Sequence, residues 1–84
     1  MFKIQVRGKA KKQILRISPP HFQRIQAHIE RIAEDPRFSG AIKLQGETGY
    51  RTRVGNYRIL YEIDDVNQTV IIYRVKHRRD VYRW

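Results

Sequence analysis

Gly55-Asn56 stands between two short runs, Tyr50–Val54 and Tyr57–Ile63, that alternate in polarity and are rich in aromatic and β-branched residues. A two-residue connection with glycine first is the chemistry of a tight β-hairpin, because glycine accepts the positive φ of the first turn position without a Cβ clash. The turn sets the register: Val54 faces Tyr57, Arg53 faces Arg58 and Arg51 faces Leu60. Alternation along a strand then sends Arg51, Arg53 and Arg58 to one face. Like charges opposite each other on paired strands repel. Glu62 projects to that same face and is the sole carboxylate of the segment before the next turn. Either Glu62 or an acidic group elsewhere neutralises the arginines, or a phosphate-bearing ligand completes the site.

The remaining elements follow from periodicity. A third alternating run, Thr69–Val75, comes after the turn Asp64-Asp65-Val66-Asn67-Gln68. Residues 2–7 read as a strand with Phe2, Ile4 and Val6 inward. From Lys9 to Ile17 the period is helical, with Ala10, Ile14 and Ile17 on one face and Lys11, Lys12 and Arg16 toward water. Ser18-Pro19-Pro20 ends this helix and starts another, with Ser18 as N-cap and Pro19 in the first helical position. The second helix aligns Phe22, Ile25, Ile29 and Ile32 and stops near Asp35-Pro36. A loop through Pro36, Gly40 and Gly46 leads to Tyr50. The order is βααβββ, an α+β fold in which an N-terminal helical hairpin packs on an antiparallel sheet, expected as a single domain over residues 1–84.

Composition narrows the function. No run approaches the roughly 18 apolar residues of a membrane span, and the first residues alternate like a strand instead of forming the apolar stretch of a signal peptide. Cytoplasmic residence and no membrane partner are the expectations. Without cysteine there is neither a disulfide framework nor a thiolate metal site. The net charge of +10 points to nucleic acid as first partner and to an acidic protein as second. Ten of the 18 cations precede residue 50 and eight follow it, so the charge belongs to folded faces and not to a basic tail.

Past the third run, Lys76-His77-Arg78-Arg79-Asp80 is a compact basic segment, with Tyr82 close behind. Arg74, Lys76 and Arg79 are candidate contacts to a nucleic-acid backbone. His77 sits among cations, which favour the neutral, proton-accepting imidazole. Tyr82 reads either as core packing or as a platform for stacking a base. His21 and His28 on the second helix read as ordinary surface histidines.

Three segments in order, Lys43-Leu44-Gln45-Gly46, the hairpin Tyr50–Tyr61 and His77-Arg78-Arg79-Asp80-Val81-Tyr82, resemble the RelE/ParE superfamily of toxins from type II toxin–antitoxin pairs, nearer the RelE branch. The resemblance covers nearly the whole chain and implies the same βααβββ fold. RelE-like members cut mRNA on the ribosome as endoribonucleases, whereas ParE-like members poison DNA gyrase without an enzymatic step. RelE-type sites use two basic residues before the hairpin turn, an arginine just after it, and an arginine and a tyrosine near the C-terminus. Here these fall on Arg51 and Arg53, Arg58, Arg78 and Tyr82. The first pair often reads as lysine in the family. Arginine holds its proton and is a poor general base, which makes His77 the candidate base. The implied reaction is attack of the ribose 2′-OH on the adjacent phosphate, needing neither metal nor cofactor. The implied partners are an acidic cognate antitoxin, mRNA and the ribosome; inhibition of gyrase is the alternative.

Overall fold

A computed structural model describes residues 1–46 and 48–77. Its elements run β1 (Lys3–Val6), α1 (Gly8–Leu15), α2 (His21–Glu34), β2 (Ile42–Lys43), β3 (Tyr50–Val54), β4 (Tyr57–Asp64) and β5 (Thr69–His77). The strands form one sheet in the order β1-β5-β4-β3-β2. The α+β class and the expected order hold, with two additions. The loop before Tyr50 contains the two-residue strand β2, and β1 pairs with β5 in parallel, making the sheet mixed. Periodicity reports which side chains face inward; it carries no information on the direction of a partner strand.

The hairpin has the register that its turn dictates. Val54 pairs with Tyr57, Arg53 with Arg58, and Arg51 with Leu60. Gly55 sits at φ 58°, the positive value required of the first residue in this turn. A second glycine is fixed by space: at Gly49, φ 111°, a Cβ would lie 2.7 Å from the Tyr61 carbonyl oxygen. A side chain there would push β3 away from β4.

Both helices cover one face of the sheet. Ala10 of α1, Ile25 and Ile32 of α2, Ile59 and Tyr61 of β4, and Ile72 of β5 meet in a common buried cluster. Alanine at position 10 lets α1 approach β5 closely, and the Gln13 Oε1 accepts the Val75 N–H at 2.9 Å. The start of α2 differs from the expectation. The helix begins at His21 with Pro20 at the N-cap and no side-chain cap, so Ser18 does not cap it and Pro19 precedes it. The backbone carbonyls of Ser18 and Pro20 take the N–H groups of Phe22 and Arg24 instead. Among the described residues no helix is long and apolar enough to cross a membrane.

At the end of the sheet away from Gly55, Tyr61 anchors the loop that leaves α2. Its hydroxyl donates to the Pro36 carbonyl at 2.6 Å, and its ring stacks on Tyr50 at 5.9 Å between centroids. Burial, with Tyr50 and Asp35 nearby, pushes this hydroxyl up to about 12. Arg37 then ties the loop to the next turn, donating to both Asp65 carboxylate oxygens (3.0 and 2.9 Å) and to the Tyr50 hydroxyl (3.2 Å). Both partners are largely solvated, so the pair orients the loop more than it stabilises the fold.

Replacing Tyr61 by Phe removes the donor and strands the buried Pro36 carbonyl. The expected loss is about 1–3 kcal/mol, read as a lower urea midpoint with an unchanged m-value. An unchanged midpoint would show that the hydroxyl bond is dispensable.

Candidate nucleic-acid interface

The face of the sheet opposite the helices carries the charge. Tyr50, Val54, Tyr57, Ile59 and Tyr61 turn toward the core. Their neighbours Arg51, Arg53, Arg58 and Leu60 therefore turn the other way. Pairing places Arg53, Arg58 and Lys76 in one row across β3, β4 and β5, and Arg51, Leu60 and Arg74 in the next. Leu60 lies outside the helix-side cluster yet is only 5% exposed, held between two arginine strands. Long cationic stems can cover apolar surface while their heads stay in water.

No carboxylate among the described residues lies within 4.0 Å of Arg51, Arg53 or Arg58. Glu62 is exposed and pairs with none of them. Neutralisation by Glu62 is thereby removed, and among the described residues no other carboxylate takes its place. Beside the arginines lies a hollow of about 260 Å³ lined by Gly40, Ile42, Arg51, Thr52, Arg53 and Arg58. It exists because β2 is two residues long and pairs only with Tyr50 and Arg51, leaving the edge of β3 uncovered beyond them. A guanidinium cluster beside an uncovered hollow suits a phosphate diester, which it can hold by paired, charge-assisted hydrogen bonds.

His77 does not join this cluster. It pairs with Tyr57 in the register of β4 and β5, one position beyond Lys76, so it points to the helix side. There its ring meets Tyr57 edge-on at 5.1 Å, and His21 approaches the same tyrosine at 5.8 Å. Adjacency in sequence suggests a base among cations; alternation along β5 sends His77 to the face opposite that of Lys76. Arg74 and Lys76 do share the arginine face by register. Arg78, Arg79 and Tyr82 lie outside the described residues. Among the described residues no group of three or more His, Cys, Asp or Glu side chains offers a metal site.

His28, read from sequence as a surface residue, instead supports the arginine-bearing strand from the helix side. It is half-buried, and its Nε2 lies 2.8 Å from the Oγ1 of Thr52, a residue only 3% exposed. Thr52 sits between Arg51 and Arg53 and points to the opposite face. The contact thus ties α2 to β3 at the residue that separates the two arginines. The signal was present, since His28 falls three residues after Ile25 and four before Ile32, on the buried stripe. Burial first, and the nearby Arg31 second, hold this imidazole below its ordinary pKa.

The family model described as the ParE toxin of the type II toxin–antitoxin system parDE matches residues 4–82. Toxin RelG of Mycobacterium tuberculosis is 56% identical over 34 residues, a stretch covering 40% of this chain and 39% of that toxin's own length. The toxin–antitoxin complex RelBE2 of Mycobacterium tuberculosis contains a chain that superposes with TM-score 0.81 at 26% identity, covering 92% of this chain and 98% of that one. The isolated RelE toxin of E. coli gives TM-score 0.82 over 99% of this chain and 93% of its own; at 20% identity that likeness concerns the fold.

The His28 environment predicts an acid weakness. The unfolded chain takes up the His28 proton near 6.5, whereas the folded protein resists it to lower pH. Stability therefore falls as pH drops through and below that value, and the fall ends once the folded form is protonated too. In urea melts, His28→Gln should lose about 1 kcal/mol near neutrality and show a weaker pH dependence below 6.5. The same acid dependence in both proteins would contradict the assignment.

Proposed function

The chain belongs to the ParE toxin family of type II toxin–antitoxin systems, and from that premise we propose that it is an endoribonuclease that cleaves mRNA, on the ribosome, and so inhibits translation. The observation that carries this reading is the pair of cationic rows on the helix-free face. Arg51, Arg53 and Arg58 have no carboxylate partner among the described residues and surround a hollow with room for a phosphodiester.

Cleavage begins with attack of the ribose 2′-oxygen on the adjacent phosphorus. The 2′-OH proton passes to water, a 2′,3′-cyclic phosphate forms, and the bond to the 5′-oxygen breaks as that oxygen takes a proton from water. The phosphorane between these events carries extra negative charge. Fixed guanidinium groups stabilise it more strongly than the ground state, which is where their repulsion in the free protein is offset. Arg51, Arg53 and Arg58 take this role, with Arg78 and Tyr82 added on the strength of the family pattern, Tyr82 stacking the base. Arg74, Lys76 and Arg79 hold flanking phosphates. Since His77 points to the other face, it is not the base in this reading. An acidic cognate antitoxin would silence the toxin by covering the cationic rows.

A second reading, binding and inhibition of DNA gyrase without an enzymatic step, is favoured by the ParE description of the matching family model. Phosphate-ready arginines beside a hollow weigh toward the nuclease.

Arg58→Ala should lower single-turnover cleavage on programmed ribosomes by roughly 10²–10³-fold, the scale of one lost transition-state contact. Growth inhibition should disappear with it. The variant should fold, because the substitution relieves repulsion with Arg53 and Lys76. His77→Gln should keep most of the rate. Full cleavage by a folded Arg58→Ala protein would remove the arginine face from the mechanism, and inhibited supercoiling without RNA cleavage would favour the second reading.

A further inference from the structure

α1 is charged against its own interest. Arg7, Lys9, Lys11, Lys12 and Arg16 lie within ten residues, and the first carboxylate of the chain is Glu30. All five are exposed. Arg7 occupies the N-cap without a side-chain hydrogen bond, and the first turn contains no acidic residue. Arg7 and Lys9 thus add positive charge at the positive end of the helix dipole. Arg7 and Lys11, Lys9 and Lys12, and Lys12 and Arg16 stand three or four residues apart, where like charges on a helix repel. Lys12 and Arg16 suit the negative end, but nothing compensates the rest. No carboxylate among the described residues lies within 4.0 Å of any of the five.

This surface is separate from the arginine face. Ala10 is buried in the core and Gln13 reaches Val75, so α1 lies on the helix-bearing side of the sheet. Its lysines and the guanidinium groups of Arg51, Arg53 and Arg58 therefore lie on opposite sides of the sheet. An RNA strand seated in the hollow leaves α1 uncovered.

We propose that the outer face of α1 is a dock for the phosphate backbone of double-stranded RNA, holding the protein on folded RNA while a single strand enters the arginine hollow. The proposal rests on the RNA-directed reading above. Lys9, Lys12 and Arg16 form a line about 10 Å long at helical rise, presenting point charges without an aromatic anchor. Lysine is depleted in the cores of protein–protein interfaces. It is well suited to sequence-independent phosphate contacts, and A-form duplexes are recognised largely by shape and backbone.

The test uses the full chain with Lys9, Lys11 and Lys12 all changed to Gln, and an RNA duplex of about twenty base pairs without single-stranded ends. Binding is followed against salt. The log–log slope should become shallower by about three, near one per lost phosphate contact. Changing the same lysines to Arg should restore it, and Arg58→Ala should leave it as in wild type while cutting cleavage by roughly 10²–10³-fold. Thermal melting of the Gln variant should match or exceed wild type, since repulsion is relieved. An unchanged slope in the folded Gln variant would overturn the dock even if Arg58→Ala still cuts cleavage. Loss of poly-L-glutamate binding with duplex binding intact would overturn it too, marking α1 as a surface for an acidic protein. Duplex binding that follows α1 in a protein without nuclease activity would keep the dock and reject the nuclease.

Discussion

Strand alternation around the Gly55 turn is the constraint on which the site depends. One register places Thr52, Ile59 and Tyr61 under the helices and the arginines of the same two strands on the far side. A slip of one residue would bury guanidinium groups and expose the core, so the apolar face enforces the charged one. Hydrophobic burial, at roughly 25 cal/mol per Å², thus holds like charges together. Cross-strand repulsion is on the order of 0.2–1 kcal/mol per pair, small beside the burial of several large side chains. The fold can carry an anion site without a bound anion.

Among the described residues, polar contacts tie the helix layer to the sheet. His28 reaches Thr52 from α2, and Gln13 reaches Val75 from α1. Both contacts join a helix to a strand that presents cations on its other face. Geometry in the arginine rows therefore depends on contacts that no ligand touches. At the opposite end, Tyr61 and the Arg37–Asp65 pair secure the loop after α2. That loop continues into Gly40 and Ile42 at the wall of the hollow.

Much of this was legible in the chain. Hairpin register followed from two turn residues, and helix faces followed from apolar spacing. What escaped has physical causes. Parallel pairing of β1 with β5 is a long-range choice that no local period encodes. β2 is too short to show alternation. At the start of α2, successive prolines moved the first turn beyond Ser18. His77 escapes because β5 runs two residues beyond Val75, and alternation along that extension sends it to the helix side opposite Tyr57. His28 was misread because a polar residue on an apolar stripe has an inward option when a buried hydroxyl waits across the interface. Arg78, Arg79 and Tyr82 fall outside the described residues, so their part rests on the family pattern.

The central claim is that the arginine face promotes attack by the ribose 2′-oxygen. The chemistry of the new RNA ends tests it most directly. Ribosome-bound mRNA exposed to the protein should yield fragments whose 5′ ends accept a labelled phosphate from polynucleotide kinase without prior phosphatase treatment, with matching 2′,3′-cyclic phosphates upstream. Fragments with 5′-phosphates would contradict 2′-oxygen attack, and intact mRNA together with inhibited gyrase would contradict the nuclease itself.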